Sequence, residues 1–353
     1  MPESSVSSTR SDDDLFVVIL AGGIGSRFWP ASTRKRPKQL LALATDLPLV
    51  VETFRRAEGI VSARQIRVLA NAQLTEAFQA LPEQWEDDAY WIEPQARGTC
   101  PALAWAAWLI EKQYPGAVMI SLHSDHRIEP LEDFQRAIST AVELARSKEI
   151  LVCLGAEPDR IETGYGHIEP GEPISLQSEV EAFTVSAFHE KPNTADAERY
   201  TRKGYLWNTG MFVWKASTFL NEVRVNAPEV GACLSLLEDS PQAFFDAVPE
   251  GPVDTMVLER STHVGVVRAS FSWDDMGSWE SLARNKVPDE DHNVVVGEGA
   301  VREGSNNVIF SEGGQVVLFG VDNLVVVRTD EATLVMPRDR ASDLKVMLEK
   351  LGE

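Results

Sequence analysis

Short apolar runs alternate with longer segments of helical spacing over residues 15–155. Residues 15–21, 65–70, 89–92, 117–122 and 150–155 are apolar, rich in β-branched side chains and too short for helices, which predicts buried strands. Between them, residues 48–57, 72–81, 100–113 and 131–147 carry apolar residues at helical intervals. This alternation predicts an α/β fold, with a mostly parallel sheet flanked by helices. The loops that follow parallel strands gather at one sheet edge, where we expect the functional site.

The pattern changes after residue 157. Residues 181–189, 205–215 and 263–269 predict further strands, and we expect the first two to be antiparallel additions that roof the second half of the crevice. Past residue 286, short apolar runs separated by Gly, Asn and Asp turns predict a small β-rich domain that ends in an amphipathic helix over 341–351. We therefore predict a disordered tail over 1–14, a main α/β domain over 15–286 and a small domain over 287–353.

The first strand leads into a loop suited to phosphate groups. Gly22, Gly23 and Gly25 follow it directly, and such glycines let backbone N–H groups approach a ligand. Five cations lie over residues 27–38, and no acidic residue lies between Asp14 and Asp46. A P-loop and the dinucleotide fingerprint are both excluded, because the spacing of glycine and lysine matches neither. A solvated basic face is the alternative, but the missing carboxylates favour a polyanionic substrate.

Composition narrows the class of protein. The formal net charge of −21 argues against binding to nucleic acid or to an anionic membrane surface, and it makes the basic loop a local exception. The three cysteines are far apart and odd in number, as in a cytosolic protein with reduced thiols. The sequence has no apolar run of membrane-spanning length and no signal peptide, so we expect a cytoplasmic protein.

Two loops that follow predicted strands carry candidate chemistry. Asp125 comes after the fourth strand, and a carboxylate facing a triphosphate site suits Mg²⁺, although an ordinary Asx turn is the alternative. The nearby His123 and His126 raise a transition metal as a weaker option. Residues 93–101 lie between the third strand and its helix, where Thr99 is the expected N-cap and Pro101 falls in the first turn. A capped helix and a ligand loop explain this segment equally well.

The sequence LAGGIGSRFWPASTRKRPKQ, residues 20–39, resembles the signature of the sugar-nucleotide pyrophosphorylases, in particular the mannose-1-phosphate guanylyltransferases. The resemblance continues to about residue 340. It implies a Rossmann-like, glycosyltransferase-A-like domain and a short β-helix-like C-terminal module used for packing and assembly, and a homodimer is one assembly it allows. It also implies Mg²⁺ as the cofactor and the conversion of GTP and mannose 1-phosphate to GDP-mannose and pyrophosphate.

The resemblance assigns roles to individual residues. The catalytic residues are Arg27, Lys38, Asp125 and Asp275, of which the two aspartates hold the metal. The nucleotide site comprises Leu20, Ala21, Gly22, Gly23, Gly25, Ser26, Arg27, Lys38, Glu93, Arg97, Thr99 and Ser124. The sugar-phosphate site comprises Tyr165, Gly166, Glu169, Glu190, Lys191 and Asn208. Gly98 departs from the family, which has Asn there, and the lost amide weakens the expected contact with the base or ribose.

Two other functions stay open at this stage. One is a pyrophosphorylase for another pair, such as dTTP or UTP with glucose 1-phosphate, because the sequence does not reveal the sugar epimer. The other is a catalytically silent paralogue that senses sugar nucleotides as a regulatory subunit, although the full set of charged residues argues against it. The chain is shorter than relatives with a fused isomerase domain, so we expect a single activity.

Overall fold

The computed structural model describes residues 14–23, 25–83 and 85–351. The predicted tail over 1–14 lies outside these residues, except for Asp14. The strands are β1 Leu15–Ala21, β2 Ile66–Ala70, β3 Tyr90–Ile92, β4 Val118–His123, β5 Arg127–Glu129, β6 Leu151–Ala156, β7 His167–Pro173, β8 Ala182–His189, β9 Leu206–Lys215, β10 Val264–Arg268, β11 Ser272–Asp274, β12 Val294–Arg302, β13 Val308–Phe319, β14 Leu324–Arg328 and β15 Thr333–Pro337.

Helices occupy both the main domain and the C-terminal end of the described chain. They are α1 Leu49–Glu58, α2 Ala72–Gln79, α3 Thr99–Gln113, α4 Leu131–Ser147, α5 Thr194–Arg202, α6 Ala216–Asn226, α7 Pro228–Gly231, α8 Pro241–Ala247, α9 Trp279–Arg284 and α10 Leu344–Leu351. A π-helical turn covers Asp254–Leu258. The five strands and four helices predicted before residue 157 are all present, with ends that differ by at most two residues.

The main sheet has nine strands in the order β3-β2-β1-β4-β9-β6-β10-β8-β7. The β3-β2-β1-β4 half is parallel throughout, as the alternation of strands and helices predicts. The strands β8 and β9 are antiparallel to their neighbours, as expected. Their predicted place as a roof was wrong, because β9 lies inside the sheet between β4 and β6. Its side chains are buried on both faces of the sheet, which suits a central strand.

Apolar layers cover both faces of this sheet. Along β1, Phe16 and Val18 face a layer that contains α3 and α6, and Val17 and Ile19 face a layer that contains α1, α2 and α4. Successive side chains of a strand point to opposite faces, so one short run contributes to both layers. The predicted class, a sheet flanked by helices, is confirmed. No helix in the described part of the chain is long and apolar enough to cross a membrane.

The strands β12 to β15 form a separate four-stranded sheet near the C-terminal end. Its main apolar core also contains Phe28 and Leu41, which follow the glycine loop, and Trp279, which follows Asp275. Phe310 of β13 packs against Trp279 with ring centroids 5.0 Å apart. The small sheet and the two segments that carry candidate catalytic residues are therefore built around one core.

Candidate active site

The loop after β1 is fixed by hydrogen bonds from Gln39, a residue that the sequence analysis did not select. Gln39 is 1% exposed, and its Nε2 donates to the carbonyl oxygens of Gly22 at 2.9 Å and Gly23 at 3.1 Å. Among the described residues, no atom lies within 4 Å of a Cβ built on either glycine. The space beside these glycines is therefore open for a ligand. The signal for Gln39 was present in the sequence, because it directly follows Lys38.

Gly25 is fixed by a close approach to Lys38. Its φ of +74° lies in the left-handed region, and a Cβ at this position would lie 2.3 Å from the Cβ of Lys38. Ser124, at the end of the neighbouring β4, donates its backbone N–H to the carbonyl of Leu20 at 3.0 Å. Its buried hydroxyl has no hydrogen-bond partner among the described residues. The fold thus brings Leu20, the glycine loop and Ser124 to the same edge of the sheet.

The ammonium group of Lys38 joins the two predicted metal-binding segments. Lys38 is 6% exposed, and its Nζ lies 2.8 Å from Asp125 Oδ2 and 2.8 Å from the backbone oxygen of Asp275. Burial opposes ionisation of Asp125, but Lys38 and the adjacent histidines outweigh it and lower the pKa of this carboxyl. Lys38 was predicted to bind phosphate groups, and in this ligand-free structure it is paired with the carboxylate of Asp125.

The second aspartate is held by a tyrosine that the sequence assigned to the sugar site. The hydroxyl of Tyr165 donates to Asp275 Oδ1 at 2.8 Å, and the backbone N–H of Gly277 donates to the same oxygen at 3.0 Å. Burial raises the pKa of Asp275 despite these donors and the nearby Lys38. Its neighbour Asp274 accepts from the Met276 N–H and from Arg284, which is a structural role.

Asp125 and Asp275 are the two carboxylates that were predicted to hold the metal. Their hydrogen bonds use Oδ2 of Asp125 and Oδ1 of Asp275, which leaves one oxygen on each for a metal. The rings of His123 and His126 stack with centroids 4.6 Å apart. One potential metal-ligand atom from each histidine and one from Asp125 all lie within 4.8 Å of one another. However, His126 Nδ1 accepts from Trp273 Nε1 at 3.1 Å, which occupies that nitrogen. The group of potential metal ligands recorded among the described residues comprises His123, Asp125 and His126 and does not include Asp275, so Mg²⁺ held by the two aspartates stays a prediction.

Residues 93–98 form a loop before α3, and this loop packs against the segment around α8. Gly98 has a φ of +81°, and a Cβ there would lie 2.6 Å from the backbone oxygen of Gly251. Arg97 Nε donates to the Phe245 carbonyl at 2.9 Å. The predicted N-cap was wrong: Gly98 caps α3, and the Thr99 hydroxyl accepts instead from the backbone N–H of Val253 at 2.9 Å. Much of this loop is thus committed to packing.

Glu93 is the exception in that loop. It follows β3, and its backbone N–H donates to the Ala70 carbonyl. Among the described residues, its side chain has no recorded hydrogen-bond or ion-pair partner. Burial raises the pKa of its carboxyl to about 7. A desolvated carboxyl without a protein donor is a site at which a ligand can supply hydrogen bonds.

The predicted sugar segments converge on Gly166. A Cβ on Gly166 would lie 2.7 Å from Glu190 Oε2, and its carbonyl accepts from the backbone N–H of Asn208 at 2.8 Å. The side chain of Lys191 is 66% exposed, and its Nζ lies 3.0 Å from Glu190 Oε1. Glu169 accepts a hydrogen bond from Tyr205; burial and this contact raise the pKa of Tyr205 to about 12.

A cleft of about 1290 Å³ contains some of the predicted site residues, whereas Asp125, Gly22, Gly23 and residues 93–98 are not among its described lining residues. Arg27, Tyr165, Lys191 and Asp275 line it on one side. The small C-terminal sheet contributes a second wall that includes Asn323 and Arg338, a contribution that the sequence analysis missed. The roles assigned to individual residues stay predictions.

Two family models match separate parts of the chain. The model described as "Nucleotidyl transferase" matches residues 16–291. The model described as "MannoseP isomerase/GMP-like beta-helix domain" matches residues 300–351.

Characterised relatives match nearly the whole chain. The mannose-1-phosphate guanylyltransferase of Escherichia coli K12 is 34% identical over 96% of this chain and 73% of its own length. The alginate biosynthesis protein AlgA of Pseudomonas aeruginosa is 34% identical over 95% of this chain and 71% of its own. A crystal structure described as a mannose-1-phosphate geranyltransferase from Thermus thermophilus has a TM-score of 0.87 and 29% identity, over 96% of this chain and 100% of that one. The chain therefore belongs to the nucleotidyl transferase family, among the mannose-1-phosphate guanylyltransferases.

Proposed function

We propose that this chain transfers a guanylyl group from GTP to mannose 1-phosphate, which yields GDP-mannose and pyrophosphate. The observation that carries the proposal is the junction at Lys38. There a loop suited to phosphate groups meets the carboxylate of Asp125 and the backbone oxygen of Asp275, two residues that belong to separate parts of the chain. The names of the relatives support the same reaction. Both substrates are small phosphorylated metabolites, which supports a cytoplasmic site of action.

The chemistry requires alignment and charge neutralisation more than proton transfer. A phosphate monoester has a second pKa near ~6, so the attacking oxygen is already largely deprotonated at neutral pH. Burial lowers the pKa of both His123 and His126, so these histidines stay neutral there. Arg27 and Lys38 would stabilise the departing pyrophosphate. A divalent cation held by Asp125 and Asp275 would neutralise charge on the transferred phosphate.

Glu93 favours guanine over the pyrimidine alternatives. The N1–H and the N2 amino group of guanine are adjacent donors that match the two oxygens of a carboxylate. Uracil and thymine offer one N–H between two carbonyl oxygens, which would face a carboxylate unfavourably. The unpaired, half-buried carboxyl of Glu93 therefore supports GTP as the nucleotide.

A pyrophosphate-release assay tests the proposal directly. The wild-type protein is assayed with each of the four nucleoside triphosphates, paired with either mannose 1-phosphate or glucose 1-phosphate. We expect the highest kcat/KM for GTP with mannose 1-phosphate, and loss of activity with EDTA that Mg²⁺ restores. Faster turnover of UTP or dTTP with glucose 1-phosphate would replace the proposed pair. Binding of GDP-mannose without turnover of any pair would indicate a sensing subunit.

A further inference from the structure

We propose that Asp254 recognises the sugar, by accepting hydrogen bonds from ring hydroxyls of the sugar 1-phosphate. This role rests on the proposed function and extends the sugar site to a segment that no sequence motif selected. Asp254 begins the π-helical turn Asp254–Leu258. Such turns are rare and recur at functional sites.

Asn208 connects Asp254 to the predicted sugar segments. Its Nδ2 donates to Asp254 Oδ1 at 2.8 Å, and its Oδ1 accepts from the backbone N–H of Gly210 at 3.1 Å. Its backbone N–H donates to the Gly166 carbonyl at 2.8 Å. Both polar atoms of the Asn208 side chain thus have protein partners. The expected contact of this amide with the sugar is better made by the carboxylate that it holds.

The carboxylate of Glu190 lies close to Asp254. Glu259, at the end of the same turn, accepts from the backbone N–H of Glu190 at 2.9 Å, which fixes the segment of residues 190–192 beside the turn. Burial and the negative charge of Glu190 raise the pKa of Asp254 to about 6, against the smaller opposing effects of Lys191, Asn208 and its own backbone N–H. Asn208 and Lys191 each supply a donor to one oxygen of Asp254 and Glu190, respectively, and the remaining oxygen of each carboxyl can accept further hydrogen bonds.

A sugar 1-phosphate supplies the missing partners. Its vicinal hydroxyls are hydrogen-bond donors for Asp254 and Glu190, and its phosphate is a counter-charge for the exposed Lys191. At Gly166, a Cβ would lie 2.7 Å from Glu190 Oε2 and 3.2 Å from the ring of Phe188, so the glycine allows Glu190 to lie directly against the backbone of this segment. The segments that hold the ring hydroxyls and the phosphate are therefore adjacent.

Asp254→Asn separates recognition of the sugar from support of the fold. An asparagine retains one oxygen for Asn208 Nδ2 but replaces the other oxygen by an amino group, which cannot accept from a hydroxyl. We expect KM for mannose 1-phosphate to rise roughly 10- to 150-fold. The dissociation constant of GTP, measured by calorimetry without the sugar, should not change. Glu250→Gln, which removes an exposed carboxylate of the same segment, is the matched control and should leave both values unchanged.

Deoxy analogues show whether Asp254 touches the sugar. Wild type and Asp254→Asn are each assayed with the 2-, 3-, 4- and 6-deoxy forms of the preferred sugar 1-phosphate. For the hydroxyl that Asp254 binds, removal of the hydroxyl and the substitution should each weaken binding, but together no more than either alone. Full additivity on every analogue, or an unchanged KM, would overturn the proposal. If wild type prefers glucose 1-phosphate, the proposed function fails while this comparison, made with that sugar, still tests Asp254.

Discussion

At the scale of single residues, Lys38 has the most consequences, because one ammonium group contacts both halves of the predicted metal site. With 8% of the Lys38 side chain and 21% of the Asp125 side chain exposed, this ion pair is largely shielded from solvent. Removal of one partner from a buried pair leaves the other charge uncompensated. Asp125 therefore depends on Lys38 in the ligand-free protein, and phosphate groups that attract Lys38 would also change the surroundings of Asp125.

Lys38→Met should lower stability in a pH-dependent way. The pKa of Asp125 is depressed in the folded protein, so its contribution to stability is present above its unfolded value of 3.8 and is lost as the pH falls below it. We expect the variant to lose up to roughly 3–5 kcal/mol of unfolding free energy at pH 7, and progressively less towards pH 3. Urea denaturation across this pH range measures the difference. A deficit that stays constant with pH would exclude the ion pair as its cause.

Lys38 and Lys191 should affect different substrates. Lys191→Ala should raise KM for the sugar 1-phosphate, because its exposed ammonium is placed to meet that phosphate, and should leave GTP binding unchanged. Lys38→Met should weaken GTP binding or lower kcat. Each lost charge-assisted contact should cost roughly 10- to 150-fold. Equal impairment of GTP binding by both variants would mean that Lys191 does not belong to the sugar site.

Tyr165→Phe tests the support of Asp275. The variant keeps the ring that packs on Trp207 and Trp273, with centroid distances of 5.3 and 4.9 Å, and removes only the hydroxyl that donates to Asp275. Groups that orient metal ligands typically change metal affinity by roughly 10- to 100-fold. We expect a loss of that size in Mn²⁺ affinity by electron paramagnetic resonance, with unchanged thermal stability. Asp275→Asn should lower kcat by orders of magnitude, and unchanged Mn²⁺ affinity in both variants would remove Asp275 from the metal site.

Glu93 predicts a pH dependence of nucleotide binding. Its carboxyl has a pKa of about 7, and only the ionised form accepts both guanine donors. Affinity should therefore rise with pH and be roughly tenfold higher at pH 8 than at pH 6. GDP-mannose is the suitable ligand, because its diphosphate does not titrate in this range. Glu93→Gln should abolish the dependence, and a wild-type affinity that is flat over this range would exclude Glu93 from contact with the base.

At the scale of elements, the sequence predicted what adjacent residues determine. The strands and helices before residue 157 follow from local apolar spacing, and the glycine loop follows from its composition. The position of β9 depends on pairing with strands far away in the chain, which local spacing does not record. Asp254 was not identified from the sequence for a similar reason. Its link to the sugar segments is the hydrogen bond from Asn208, a residue on another element. Gln39 was visible in the sequence but acts through backbone carbonyls, which no motif names.

Gly98 shows how a departure from the family pattern follows from backbone geometry. With a φ of +81° and the Gly251 carbonyl close by, this position excludes the asparagine expected from the resemblance. Gly98→Ala should destabilise the protein more than Gly116→Ala, because Gly116 has a similar φ of +84° but no described atom within 4 Å of its Cβ position. We expect a difference of about 1 kcal/mol or more in thermal or urea unfolding. Equal losses would show that the approach to Gly251 is not limiting.

At the scale of the whole molecule, the small sheet packs against the two segments that carry predicted catalytic residues. Besides the shared core, Arg338 makes two hydrogen bonds to Glu280, at 2.7 and 2.9 Å, and Arg36 pairs with Glu312. Glu280 lies in the first turn of α9, five residues after Asp275. The position of Asp275 therefore depends on strands that carry no predicted catalytic residue.

Phe310→Ala tests this dependence, with Phe319→Ala as the control. Both residues lie on β13, but Phe310 is 3% exposed in the shared core and Phe319 is 68% exposed. Loss of the buried ring should cost roughly 3–5 kcal/mol. Hydrogen exchange should increase in residues 28–43 and 276–283 as well as in the small sheet, and unfolding should remain a single transition. Increased exchange confined to residues 294–337 would show that the small sheet is independent.

The shared core also sets an order of events during synthesis. Phe28 and Leu41 are translated well before their apolar partners in residues 294–348. At roughly 5–20 residues per second, the interval is on the order of tens of seconds. In the first part of that interval, before residues 206–215 are made, β4 also lacks β9, so one edge of the nascent sheet is unpaired and open to association with other chains. The segment that follows the glycine loop therefore acquires its final apolar neighbours only after residues 294–348 have been translated, and a chaperone that covers exposed apolar surface would act in this interval.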